Sequence, residues 1–452
     1  MGLSELSRSA TNRATPARMT HPTPEGLAAR RAALALLQAV LNHRRPLDEA
    51  LESMPAIKAL DPRDRAFARL LTATTLRRLG QVDALIDHAV TRGLPAGAGT
   101  VRDVLRLGVA QLLILETPPH AAVATSVDLV EAAGMPRFKG LVNAVLRRLG
   151  REGRELIAAQ DAPRLNTPDW LWQSWVAAYG AEAAHRIADA HLKEAPLDIT
   201  VRTDPAAWAE RLNAKIMPTG TLRRTAGGSV VELPGFKEGE WWVQDAAAAL
   251  PARLFGPVAG LRIADLCAAP GGKAAQLAAA GATVTAIDRS PRRLERVRQN
   301  LDRLRLPAEL IAADAAEFRP DRPFDGVLLD APCSATGTIR RHPDIPRLKG
   351  LGDIAKLVAA QAKLLSHAVD LVRPGGLIVW CTCSLQPEEG PRQIEHLLGV
   401  DGRVERVPIR AEEVGGLAEL LTAEGDVRSL PFHLAAEGGI DGFHIARLRR
   451  LA

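Results

Sequence analysis

The cysteines of this chain are its most reactive side chains, and they are few. Four occur among 452 residues, at positions 267, 333, 381 and 383, and the last two share the segment VWCTCSL, residues 379–385. Their spacing forms neither a disulfide framework nor the paired C-x-x-C ligands of a zinc site. We therefore expect free thiols that serve reactivity, and no metal centre.

Cys333 stands in the segment DAPCS, residues 330–334, directly after a predicted strand. Methyltransferases that act on exocyclic amines often carry Asn or Asp, two prolines and an aromatic residue at this point. A thiol in this place indicates a carbon acceptor instead of nitrogen. C5 of a pyrimidine ring is such a carbon, but it is a poor nucleophile and needs covalent assistance.

Covalent assistance of this kind requires a thiolate and an acid. The thiolate adds to C6 and electron density moves to C5, which then takes up a methyl group; loss of the C5 proton and elimination of the thiol restore the ring. A thiol with a pKa lowered toward neutrality serves best, and Asp330 suits protonation or hydrogen bonding at N3 of the base. Cys333 and the pair Cys381/Cys383 can each supply the thiol.

The elements that must position these residues lie in the segment 251–452. Short β runs alternate there with helical stretches, which predicts parallel strands joined by crossover helices in a doubly wound sheet. Successive strand ends carry one acid each, at Asp265, Asp288, Asp314 and Asp330. Because ligands of such sheets bind at the carboxyl ends of the strands, we expect the acids and thiols to surround one crevice.

The first loop of this sheet predicts the cofactor. It lacks the G-x-G-x-x-G and Walker A patterns that cradle diphosphates, and its two glycines let a ligand approach the backbone. Asp288 suits ribose hydroxyls, Asp314 suits an adenine amino group, and four acids suit a cationic sulfonium. We therefore expect S-adenosylmethionine, with a nicotinamide cofactor as the alternative. The candidate contacts are Cys267, Ala268, Ala269, Pro270, Gly271, Gly272, Lys273, Asp288, Asp314 and Asp330.

The chain before the sheet divides into three segments. Residues 1–22 form a basic tail that we expect to be disordered. Residues 23–155 show helical periodicity throughout, and residues 22–155 carry 19 Lys plus Arg against 14 Asp plus Glu, which favours a polyanionic partner. Residues 156–250 combine a Trp-rich helix with strand-like runs (LDITVRT, VVELPGF and WWVQDA), which predict a small α+β module.

Two segments resemble known families. LRLGVAQLLILETPPHAAVATSVDLVE and KGLVNAVLRRL are similar to NusB-like RNA-binding helical domains. Residues 160–450 resemble the RNA cytosine-C5 methyltransferases of the Sun family in three motifs, A-P-G-G-K at 269–273, D-A-P-C-S at 330–334 and T-C-S at 382–384. The resemblance implies a multidomain fold with an all-α NusB-like domain, a small α+β RNA-binding module, and a C-terminal α/β Rossmann-like class I methyltransferase domain.

The resemblance also implies roles for single residues. The T-C-S cysteine, Cys383, is the nucleophile, and the P-C cysteine, Cys333, assists product release. DNA cytosine methyltransferases use the P-C cysteine as nucleophile, so Cys333 remains the competing assignment.

Cys381 is expected to be a buried strand residue. The loop 340–343 is basic, and we expect it to contact phosphates.

Two family patterns are altered in this sequence. The usual R-x-N is Arg202-Thr203-Asp204, and the usual D-G-F-F ends in His444. Both changes lie outside the catalytic motifs and bear on substrate detail.

A NusB-like domain ahead of a Sun-type catalytic domain is similar to the bacterial ribosomal RNA small subunit methyltransferases. The implied partner is therefore RNA, 16S rRNA first, with the target cytosine flipped or unpaired. Two alternatives stay open, the same chemistry on tRNA and a non-catalytic RNA-binding protein with a degenerate methyltransferase domain. No apolar run approaches the ~20 residues of a membrane helix. We expect a cytoplasmic monomer without membrane or metal partners.

Overall fold

A computed structural model describes residues 26–224 and 228–452 of the chain. The predicted disorder of residues 1–22 falls outside the described residues. A helical part, a four-stranded sheet and an eight-stranded sheet follow one another along the chain. The predicted fold class, an all-α part before an α+β module and a C-terminal α/β domain, is confirmed.

Apolar residues at helical spacing pack the N-terminal helices around one core, in which Leu36, Leu71, Leu105 and Leu146 are fully buried. Two of these helices approach closely, because a Cβ on Gly108 would lie 2.7 Å from a methyl carbon of Leu146. The helices are α1 (Leu27–Leu41), α2 (Leu47–Ser53), α3 (Pro55–Lys58), α4 (Pro62–Arg77), α5 (Leu79–Ala89), α6 (Gly99–Leu113), α7 (Pro119–Ala132) and α8 (Lys139–Ala158).

Two helices, α9 (Ala162–Asn166) and α10 (Asp169–His191), connect this part to the sheets. Trp175 on α10 is buried, and its ring N–H donates to the side chain of Gln386 in the C-terminal domain at 3.2 Å. The tryptophans of α10 therefore anchor the helix on the C-terminal domain, as core residues do.

The middle module is an antiparallel sheet with the strand order β2-β3-β1-β4. The predicted strand in VVELPGF is wrong, because Val230–Glu232 form a single 3-10 turn. Pro234 and Gly235, which has φ +82°, turn the chain immediately afterwards, so no ladder forms. The elements are β1 (Leu197–Val201), α11 (Pro205–Arg211), β2 (Lys215–Ile216), β3 (Leu222–Arg224) and β4 (Trp241–Val243).

The C-terminal domain contains a sheet with the order β10-β12-β9-β8-β5-β6-β7, and β11 pairs with β12. The strands β5 to β9 pair in parallel, as the alternation of β runs and helical stretches predicts, whereas β12 runs antiparallel to β9 at the edge of this parallel set. The strands are β5 (Arg262–Leu266), β6 (Thr283–Asp288), β7 (Glu309–Ala312), β8 (Phe324–Asp330), β9 (Val372–Thr382), β10 (Val404–Arg406), β11 (Val427–Ser429) and β12 (Phe443–Arg450).

Helices cover both faces of this sheet, as crossover connections require. They leave the carboxyl ends of β5, β6, β8 and β9 at one edge. They are α12 (Leu250–Arg253), α13 (Gly272–Ala279), α14 (Pro291–Leu304), α15 (Ile345–Leu348), α16 (Leu351–Leu371) and α17 (Pro391–Val400).

Candidate functional site

The ends of β8 and β9 bring two thiols together. Asp330 at the end of β8 is in register with Cys381 on β9, so the loops that follow the two strands begin side by side. The Sγ atoms of Cys333 and Cys383 lie 3.5 Å apart, and the amide of Gly337 donates to the carbonyl of Cys383 at 2.9 Å. Cys333 and Cys383 can therefore act on one small molecule or base.

The remaining thiols differ in environment. Cys381 is fully buried, and burial raises the pKa of its thiol well above the usual value. Burial also raises the pKa of Cys267 to about 12, with the carboxylates of Asp330 and Asp288 adding to the rise. The hydrogen bond to Cys383, followed by burial, raises the pKa of Cys333 well above its usual value. Each of these shifts favours the protonated form of the thiol.

Asp330 is fixed by a cation at the centre of the site. Its Oδ2 accepts from the Nζ of Lys273 at 2.6 Å, and its Oδ1 lies 3.5 Å from the Sγ of Cys381. Burial lowers the pKa of Lys273, but the neighbouring acidic groups, Asp330 first among them, together outweigh burial and raise the pKa of the ammonium. The ammonium also lies 5.5 Å from the ring centroid of Phe443. Lys273 therefore points inward, beside the thiol loops.

Asp265 is a buried acid near the end of β5, beside the loop 267–273. It is fully buried, and within the described chain neither of its carboxylate oxygens makes a hydrogen bond of normal geometry. Burial raises its pKa to about 8; Lys273 opposes this rise, and Asp330 and Asp288 contribute to it. The charged form of this buried acid is costly unless a cation pairs with it, which fits a cationic ligand here.

The loop after β5 has the backbone shape that close ligand approach requires. Cys267 has φ +63° and Gly271 has φ +100°, and a Cβ at Gly271 would lie 3.0 Å from a methyl carbon of Val297. Glycine is therefore required at 271. The remaining predicted contacts of this loop are Ala268, Ala269, Pro270 and Gly272, which are small or lack side-chain hydrogen-bonding groups.

Asp288 at the end of β6 and Asp314 after β7 have different environments. Asp288 is buried, accepts from the amide of Ala269 at 3.3 Å, and pairs with Arg293 at 3.2 Å. Asp314 is exposed, and its carboxylate accepts from the amide of Ala316 at 2.9 Å. Asp265, Asp288 and Asp330 thus surround the loop, while Asp314 stands on the solvent side of the crevice.

A further acid, which the sequence does not single out, joins the two thiol loops. Glu389 is fully buried between Ser334 and Ser384, the residues that directly follow Cys333 and Cys383. Nothing in the pair Glu388-Glu389 distinguishes the buried acid from its half-exposed neighbour, so no sequence signal identifies it.

The expected phosphate contacts of loop 340–343 are wrong for its two arginines. Arg340 is buried and pairs with Asp441 at 3.2 Å, and Arg341 pairs with Asp245 at 2.7 Å. Both carboxylates are buried, and they raise the pKa of Arg341 against the effect of its burial. The two guanidinium groups therefore join the middle module to the C-terminal domain.

The altered family patterns have structural partners. Asp204 caps α11 by accepting from the amide of Ala207 at 3.0 Å, and Arg202 donates to the carbonyl of Leu304 at 3.0 Å. His444 is buried on β12, where its Nε2 lies 3.2 Å from the Oδ2 of Asp426. A polar pair therefore stands where the family pattern has phenylalanine.

The described ranges 26–224 and 228–452 contain no group of three His, Cys, Asp or Glu side chains arranged to hold a metal ion. None of their helices combines the length and the apolar character that crossing a membrane requires.

Known protein families match the two main parts of the fold. A family model described as 16S rRNA methyltransferase RsmB/F matches residues 252–449, and a NusB family model matches residues 27–151. Ribosomal RNA small subunit methyltransferase B of Xylella fastidiosa is 36% identical over 440 residues, which cover 94% of this chain and 98% of that protein. The protein of the same name from Pseudomonas putida is 37% identical, with 94% and 98% covered.

Solved structures share this architecture. The crystal structure of PH0851 has a TM-score of 0.73 and 22% identity, and the match covers 93% of this chain and 98% of that one. A methyltransferase homolog protein from Pyrococcus horikoshii has a TM-score of 0.52 and 28% identity, with 68% and 98% covered. From the sequence matches over nearly its whole length, we conclude that the chain belongs to the RsmB/F family of 16S rRNA methyltransferases and includes a NusB-family domain.

Proposed function

We propose that this chain methylates C5 of a specific cytosine in 16S rRNA, with S-adenosylmethionine as methyl donor, through a covalent bond between Cys383 and C6. The observation that carries the proposal is the pair of thiols 3.5 Å apart, beside a crevice of buried carboxylates at the strand ends. Methylation of an exocyclic amine needs no thiol, whereas activation of a ring carbon requires one.

The residues of the crevice fit S-adenosylmethionine. The buried acid Asp265, whose pKa burial raises to about 8, suits a cationic ligand, and the left-handed backbone at Gly271 leaves room for close approach. We assign the loop 267–273 with Asp288, Asp314 and Asp330 to binding. When bound there, S-adenosylmethionine supplies an electrophilic methyl group.

The chain's own residues then activate and release the base. The Cys383 thiolate adds to C6 as N3 takes up a proton, and the Asp330 carboxylate, held by Lys273 at 2.6 Å, accepts a hydrogen bond from the protonated N3. The electron pair moves to C5, which takes up the methyl group. A base then takes the proton from C5, the C6–S bond breaks with its electron pair on the Cys383 sulfur, and loss of the N3 proton restores the aromatic ring. We assign Cys333 to this release step, because its sulfur lies beside that of Cys383.

The substrate class follows from the family and from the charge of the helical part. We propose that residues 23–155 and 156–250 bind RNA and that residues 251–452 carry out methylation in the cytoplasm. Arg147, Arg151 and Arg154 lie exposed along α8, and within the described chain no carboxylate pairs with them, whereas Arg148 pairs with Glu152 at 2.6 Å. Uncompensated arginines on one helix face suit RNA phosphates.

A deletion strain tests the proposal. Bisulfite sequencing of total RNA should show one 16S rRNA cytosine that is methylated in the wild type and unmethylated in the deletion strain. Loss of a tRNA site instead would assign the same chemistry to tRNA. Absence of any change, together with no S-adenosylmethionine binding by calorimetry, would support a non-catalytic RNA-binding protein and refute the proposal.

A further inference from the structure

Glu389 is a buried acid without a cationic partner. It is fully buried, and within the described chain no Lys, Arg or His side chain forms an ion pair with it. Burial of an unpaired carboxylate is costly unless hydrogen bonds replace its water. Four hydrogen-bond donors from three segments of the chain contact Glu389 and replace the water molecules that would solvate it. The carboxylate therefore links these three segments.

The donors come mainly from the two thiol loops. Oε1 accepts from the amide of Ser334 at 2.9 Å and from the Nε2 of Gln361 at 3.1 Å. Oε2 accepts from the hydroxyl of Ser384 at 2.6 Å and from the hydroxyl of Ser334. Gln361 also donates to the carbonyl of Pro332 at 2.9 Å, so the Cys333 loop is held on both sides of the cysteine.

We propose that Glu389 is a positioning residue, which holds the sulfurs of Cys333 and Cys383 within reach of the same base through Ser334 and Ser384. This inference rests on the proposed function of the two thiols. It also explains why a serine follows each cysteine, since each serine bonds the same carboxylate.

The charge of Glu389 has a second effect on the site. It lies near enough to Cys333 to contribute to the raised pKa of that thiol, after the hydrogen bond to Cys383 and burial. Glu389 thereby favours the protonated form of Cys333, so that the two sulfurs do not ionise together.

The test uses Glu389→Gln, which keeps the side-chain volume but removes the charge. The control is Glu388→Gln, because the native Glu388 forms an exposed ion pair with Arg392, at 2.8 Å. Each variant is incubated with unmethylated 16S rRNA and S-adenosylmethionine. Covalent protein–RNA adduct is measured on denaturing gels, kcat by methyl incorporation over a pH series, and S-adenosylmethionine affinity by calorimetry.

If Glu389 positions the thiols, E389Q should lose about 10- to 100-fold in kcat, within the range of a single misplaced catalytic group. It should accumulate adduct as Cys333→Ala does, and the alkaline limb of its pH profile should move to lower pH. S-adenosylmethionine affinity should stay within about twofold, and E388Q should match the wild type. Ser334→Ala, which keeps the carboxylate, should show a weaker version of the same adduct accumulation even if E389Q fails to fold.

Two results would overturn the inference. The first is an E389Q protein with the kcat and pH profile of the wild type. The second is a kcat that falls in E389Q and S334A only as much as the amount of folded protein falls, with no accumulation of adduct. Cys383→Ala separates these from a failure of the proposed function, because a C383A protein that still methylates RNA would refute the role of the thiol itself.

Discussion

Asp330→Asn should lower the stability of the fold and slow catalysis, for two separate reasons. Asp330→Asn removes the charge that pairs with Lys273 at 2.6 Å, and the side chain of Lys273 is only 11% exposed. Removing one partner of a buried ion pair costs about 3–5 kcal/mol. Asp330 itself is 30% exposed, and Asp265 remains close to Lys273, so we expect a loss of stability of about 2–3 kcal/mol after solvent screening.

The catalytic loss has a separate origin. Positioned proton donors and acceptors contribute about 10²- to 10⁴-fold in rate, which corresponds to roughly 3–5 kcal/mol of barrier. We therefore expect kcat of D330N to fall by about two to four orders of magnitude. Single-turnover release of tritium from C5 of labelled rRNA measures the chemical step, and urea unfolding measures stability.

Asp325 offers a matched control on the same strand. It lies at the opposite end of β8 and pairs with the half-exposed Arg373 at 2.7 Å. Asp325→Asn should cost less than about 1 kcal/mol, as surface pairs do, and leave kcat unchanged. The assignment of Asp330 is refuted if D330N keeps kcat within about threefold of the wild type, or if D325N slows the reaction equally.

Three further outcomes are expected. Arg341→Ala should lower the free energy of unfolding by about 3–5 kcal/mol, whereas unchanged stability with weaker RNA binding would restore the phosphate-contact interpretation. For Asp265, whose folded-state pKa of about 8 lies above the usual 3.8, the protonated acid stabilises the fold below its unfolded pKa, and this contribution is lost as pH rises toward about 8. The stability of the wild type relative to Asp265→Asn should therefore decline by up to about 1.4 kcal/mol per pH unit between pH 4 and 8 in urea titrations, and a constant difference would contradict the burial account. The double substitution Arg147→Glu and Arg151→Glu should weaken rRNA binding at least tenfold and make the affinity less dependent on salt. Arg148→Ala should leave the affinity and its salt dependence near those of the wild type, as measured by filter binding.

The parallel part of the catalytic sheet could be predicted from the sequence because each strand is a short β run between helical stretches. The antiparallel β12 could not, since a strand that joins the sheet only after a long, mostly irregular connection has no alternation with helices to reveal it. The run VVELPGF has strand composition, but the turn at Gly235 decides its structure.

The site was predictable where chain order and strand direction determine position. The thiols after β8 and β9 had to be neighbours because parallel strands end at one edge. Arg340 and Glu389 depend instead on segments distant in sequence, namely the loop around Asp441 and the loop that contains Ser334. No local pattern distinguishes a buried arginine from a phosphate contact, or a buried glutamate from a solvated one.

The identity of the nucleophile is the central claim, and trapping tests it most directly. RNA that carries 5-fluorocytosine cannot lose a proton from C5, so the covalent adduct persists after methyl transfer. Tryptic mass spectrometry of the trapped adduct should place the nucleotide on the peptide that contains Cys383, and Cys383→Ala should yield no adduct. A nucleotide on Cys333, or an adduct that forms in C383A, would contradict the account.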